Sequence, residues 1–68
     1  MEPPTKNEIT GAMQKYGGGF VKTLAKAAMT ADELNYDRLQ AAFPEIWDQY
    51  RDLAEWDRKQ ENTQQTNQ

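Results

Sequence analysis

Pro44-Glu45-Ile46-Trp47-Asp48-Gln49-Tyr50-Arg51-Asp52-Leu53-Ala54-Glu55-Trp56-Asp57-Arg58 is the stretch on which the fold turns. Wound as a helix, it gathers Ile46, Trp47, Tyr50, Leu53 and Ala54 on one arc and Glu45, Asp48, Asp52 and Glu55 on the opposite one. A strand would need strict alternation, which these residues do not show. Pro44 suits the first helical position, where its missing N–H would go unpaired in any case, and Glu45 in the first turn complements the helix dipole. The stretch is expected to form a helix over residues 44–58. The same proline forces the residue before it out of the helical region, so whatever precedes must end by Phe43.

Working back along the chain, residues 36–42 are expected to form a short helix with Leu39 turned inward, after a polar break at residues 32–35 that holds the capping-type Asp32 and Asn35. Residues 19–31 form the next amphipathic segment. Phe20, Leu24, Ala27, Ala28 and Ala31 are expected on its inner face, with Lys22, Lys26 and Met29 outside. So much alanine requires a close neighbour or large partner side chains to fill the gap. Gly17-Gly18-Gly19 is expected to end a first helix over residues 6–16, because glycine tolerates the left-handed cap. Thr5 and Glu8 match a capping box at the start of that helix, and Ile9, Met13 and Tyr16 share one face of it. The expected fold is all-α: a compact bundle of three main helices and one short helix over residues 5–59. Residues 1–4 and the polar tail at residues 60–68 are expected to be disordered, the tail because it holds no apolar residue to offset its ordering entropy.

Composition narrows the chemistry. The 68 residues include no cysteine, histidine or serine. Disulfides, thiolate and imidazole metal ligands, Ser and Cys nucleophiles and the commonest general base are thereby excluded. Neither an enzyme nor a cofactor is expected. Residues 1–30 carry a charge of plus 2 and residues 31–68 of minus 5. Four scattered lysines make a poor counterion-releasing face, so double-stranded nucleic acid is not an expected partner. There is no apolar run of about 18 residues and no signal-peptide pattern, so no membrane partner is expected and a cytoplasmic protein is. A core of this size is marginal alone, which makes a homo-oligomer an expected remedy.

Two constellations are candidates for binding. Trp56 falls beside the acidic arc rather than with Ile46, Tyr50 and Leu53, and an exposed indole signals an interface. Trp56, Asp48, Asp52 and Glu55 are therefore the expected contact for a partner or a second copy, against the plainer reading of a solvated helix face beside a tryptophan folded under the bundle. Trp47, at the border of the apolar arc, is expected in the core. The second constellation is Gly17, Gly18 and Gly19 with Lys22 and Lys26, where amides at a helix N-terminus could hold an anion or a nucleotide. The plainer reading is an interhelical turn with solvated lysines. No Walker or dinucleotide pattern accompanies the glycines. Residues 32–37 lack the glycine that a calcium loop needs.

Gly17-Gly18-Gly19-Phe20-Val21, Ala31-Asp32, Asn35, Leu39 and Ala42-Phe43-Pro44-Glu45 with Trp47 and Tyr50 resemble small hypothetical proteins of tailed bacteriophages and prophages, over about residues 16–50. The resemblance implies a viral origin and a bacterial host cytoplasm, and it carries no activity or site residues with it. Together these readings point to a non-enzymatic phage accessory protein that binds and inhibits or redirects a host protein, one of host defence among the candidates. The alternatives are an oligomeric sponge for an anionic nucleotide signal and a minor structural or assembly component.

Overall fold

The computed structural model describes the backbone of residues 2–66 and the side chains of residues 2–60. Four helices follow one another: α1 (Lys6–Tyr16), α2 (Gly19–Thr30), α3 (Glu33–Ala42) and α4 (Pro44–Thr66). The chain is all-α, with no strand among the described residues. No helix among those residues is long and apolar enough to cross a membrane.

Local chemistry sets the helix starts. Thr5 Oγ1 accepts the Glu8 amide at 3.2 Å while Glu8 Oε1 accepts the Thr5 amide at 2.9 Å, the reciprocal pairing read from the sequence. Asp32 caps α3 by accepting the Asn35 amide at 2.8 Å, so that helix begins at Glu33 rather than at Tyr36 as expected; a capping residue opens the helix immediately after itself. Proline at its first position opens α4, and Phe43 sits just outside α3 at φ −130°, ψ 58°. The helix continues past Arg58 to Thr66. Apart from Gln60, the polar tail expected at residues 60–68 lies outside the residues whose side chains are described, as does Met1.

The glycine turn differs from its expected form. Gly17 adopts φ −81°, ψ 160° and Gly18 φ −80°, ψ −169°, both extended, and no glycine has a positive φ. Conformational freedom is therefore not what the turn requires of them. Space is what Gly17 supplies: a Cβ there would come within 2.5 Å of both the Met13 carbonyl oxygen and Val21 Cγ1. The missing side chain lets α2 double back directly over the last turn of α1.

α1 packs against both α2 and α4, and the core lies along those two contacts. Ile9, Ala12 and Met13 meet Leu24, Ala25 and Ala28 on one side and Trp47, Tyr50 and Ala54 on the other. Met13 is wholly buried and Trp47 is 1% exposed. The Trp47 indole donates to the Tyr36 hydroxyl at 3.0 Å and meets that ring edge-on at 5.9 Å, which is how the short α3 is tied to α4. Lys6 crosses from α1 to the same corner, its Nζ 4.9 Å over the Tyr36 ring and donating to the Ala31 carbonyl at 3.2 Å. Thr10 is buried, and its hydroxyl is satisfied by the Lys6 carbonyl at 2.9 Å within its own helix.

The inner face of α2 is rotated from the expected one. Leu24, Ala25 and Ala28 are buried with Val21 packed against them, whereas Phe20 is 62% exposed, Ala27 is exposed and Ala31 is half-buried. Val21 and Ala25 face the tight α1 contact, leaving Phe20 at the rim, where it meets Phe43 edge-on at 5.8 Å.

Candidate binding face

The last turn of α1 and the middle of α4 leave a shallow cleft between them. Tyr16, Leu53 and Trp56 form its apolar walls and Asp52 its acidic rim, enclosing about 550 Å³. Trp56 is 51% exposed, Tyr16 40% and Leu53 half-buried. Tyr16 therefore leaves the buried face on which the spacing of Ile9 and Met13 placed it. Its hydroxyl donates to Asp57 Oδ1 at 2.8 Å, which anchors the ring at the mouth of the cleft.

Beneath the cleft the helices are pinned by two ion pairs. Lys15 Nζ lies 3.2 Å from Asp57, and the Tyr16 hydroxyl and Lys15 together hold the Asp57 carboxyl below its ordinary range. The same pairing with Asp57, followed by the contact with Tyr16, raises Lys15. The next residue of α4, Arg58, grips both oxygens of Glu8 with its guanidinium, Nε donating to Oε2 at 3.0 Å and Nη2 to Oε1. Arg58 and the Thr5 cap together bring Glu8 down to about 2, and Glu8 in turn raises Arg58. Arg58 Nη1 also donates to the Glu2 carbonyl at 3.0 Å, which ties down the start of the chain. These groups line a polar groove of about 350 Å³ along α1 and α4.

The contact residues singled out from the sequence separate. Trp56 and Asp52 share the cleft. Asp48, one turn before, is exposed and held by Arg51 at 2.8 Å. Glu55 is exposed on the flank, where its charge acts on Arg58. Asp52 and Glu45 form no ion pair among the described residues. The cleft thus combines apolar walls with one acid, Asp52, that has no ion-pair partner among the described residues, while Glu45 stands apart at the start of α4. Tyr16 belongs to it although the sequence placed it on the buried face, because it stands at the end of its helix; Leu53, at the edge of the apolar arc, packs against the core as expected and also lines the cleft.

The other constellation runs from the α1–α2 connection along the outer side of α2. Gly17 and Gly18 connect α1 to α2, Gly18 is the N-cap without a side-chain hydrogen bond, and Gly19 is the first residue of α2. Lys22 and Lys26 are exposed one turn apart on the outer face. The nearby Lys15 is taken by Asp57. Among the described residues no group of three or more His, Cys, Asp or Glu side chains is placed to hold a metal ion. No family model matches the chain, and neither a curated protein nor a solved structure is found that is similar to it.

Proposed function

We propose that this chain is a non-enzymatic accessory protein that acts by binding another protein on the face formed by Tyr16, Leu53 and Trp56 with its acidic border. The observation that carries the reading is an indole left half in solvent beside an apolar cleft, in a chain whose core is already closed by Trp47. Burying an exposed indole on a partner stabilises a complex by roughly 2–3 kcal/mol before association entropy is counted. Asp52 at the rim favours a partner that presents a basic group beside an apolar anchor and, with the other acids of α4, disfavours nucleic acid and anionic lipid. A host-cell protein as target, and a bacterial cytoplasm as the place of action, rest on the resemblance of Ala42-Phe43-Pro44-Glu45 and its neighbours to bacteriophage proteins.

The test is affinity capture from host cells with three baits compared quantitatively: the wild-type chain, Trp56→Ala and Leu34→Ala. Leu34 is as exposed as Trp56 but lies outside the cleft, so it controls for nonspecific adhesion. The reading requires a protein held by the wild type and by Leu34→Ala and lost from Trp56→Ala. Equal capture by all three baits contradicts it.

A further inference from the structure

The charges around the cleft are distributed unequally between α4 and α2. On α4 the arginines are spent inside the molecule, Arg51 on Asp48 and Arg58 on Glu8, while Lys15 on α1 is spent on Asp57. Asp52 is left uncompensated at the cleft. On α2 the reverse holds: Lys22, Lys26 and Met29 are exposed, and no acid among the described residues pairs with either lysine. Helical periodicity puts these three on one side of α2, and puts Asp48, Asp52 and Trp56 on one side of α4. Lys22 to Lys26 and Asp48 to Asp52 are each one turn, about 6 Å along the axis. Met29 follows Lys26 by three residues, as Trp56 follows Asp52 by four. The two faces have the same axial pattern with opposite charge.

We propose that a second copy of this chain occupies the face, laying its α2 parallel to α4 so that Lys22 meets Asp48, Lys26 meets Asp52 and Met29 enters the cleft of Tyr16, Leu53 and Trp56. A thioether suits that cleft because sulfur packs favourably at aromatic edges and the unbranched side chain adapts to an irregular wall. Met29 is 52% exposed, and the one contact its sulfur would exchange on docking is an exposed hydrogen bond from Gln14 Nε2 at 3.1 Å. The Arg51–Asp48 pair is solvent-exposed, and exchanging it for an intermolecular pair costs little. Packing α4 on α4 would instead set acid against acid, and α2 on α2 lysine against lysine. The contact rests on the face being a docking surface, and it excludes a foreign protein from that face while it lasts.

Charge reversal decides the matter with the full chain. The variants are Asp48→Lys with Asp52→Lys, and Lys22→Asp with Lys26→Asp; each is run alone and then both in equimolar mixture by sedimentation velocity at tens of micromolar. The wild type is expected above the 7.9 kDa of one chain, each variant alone at the single-chain mass, and the mixture restored to the wild-type mass. Circular dichroism confirms that each variant keeps its helices; should one lose them, Asp48→Asn with Asp52→Asn replaces it and is expected to shift the wild-type association to at least tenfold higher concentration. A wild type that sediments as one chain, reversed variants that associate unaided, or a mixture that stays monomeric overturns the proposal. A monomeric wild type leaves the capture of a foreign protein by the Trp56 face standing, so the two readings fail separately.

Discussion

The two tryptophans occupy opposite environments, and their substitutions are expected to separate stability from binding. Trp47 is buried among Ile9, Met13 and Tyr50 and holds Tyr36 through its indole N–H. Truncating a buried tryptophan to alanine costs about 3–5 kcal/mol, as much as a domain of this size has to lose. Trp47→Ala should therefore be largely unfolded in water by circular dichroism, whereas Trp56→Ala should shift the urea-unfolding free energy by no more than about 1 kcal/mol. Sequence reading placed Trp47, at the border of the apolar arc, in the core, where it lies, and left Trp56 between an interface and a place under the bundle; its exposure puts it at the surface. The Glu8–Arg58 clasp was not legible: the two residues stand fifty positions apart, and Glu8 was already accounted for by its cap. Its pH signature is specific. Because the folded carboxyl titrates near 2 against an ordinary 4.5, its stabilising contribution is fully present above 4.5 and is lost as the pH falls through 2. Arg58→Met should move the Glu8 titration, followed by carboxyl carbon NMR, most of the way back toward 4.5, the Thr5 cap retaining part of the depression. An unchanged titration would show that the guanidinium is not its main cause.

At the scale of the elements, Asp32 was read as part of a polar break although it caps α3 and opens it three residues earlier than expected, whereas the helix starts at Thr5 and Pro44, fixed by a capping box and a proline, were legible. The inner face of α2 was not, since its alanines give both arcs of the wheel nearly equal weight and the close approach to α1 decides between them. That approach hinges on Gly17. Gly17→Ala places a methyl group against the Met13 carbonyl and Val21, and should cost about 1–3 kcal/mol in thermal or urea unfolding. Gly11 is the opposite case. It sits in the interior of α1, nothing lies within 4 Å of the position its Cβ would take, and its φ is negative. Gly11→Ala should stabilise the chain by about 0.5–1 kcal/mol through helix propensity alone. If both substitutions moved the midpoint in the same direction, the close packing of α1 on α2 would not be as described.

The whole molecule joins a core closed by α1, α2 and α4 to an outer face centred on the half-exposed Trp56. The sequence located that face on α4 through Trp56 and its acids but missed Tyr16, which only the packing of α1 on α4 brings beside it, and the part played by Leu53, which stands one turn from Trp56 on α4 itself. The proposed function requires that a protein sits on Trp56. Replacing Trp56 with a photoreactive phenylalanine analogue and irradiating intact host cells tests that claim most directly, with the same analogue at the exposed but cleft-free Leu34 as reference. The account requires a discrete adduct heavier than the chain from position 56, absent from position 34 and abolished by Leu53→Asp. No adduct at position 56, or the same adducts at both positions, would contradict it.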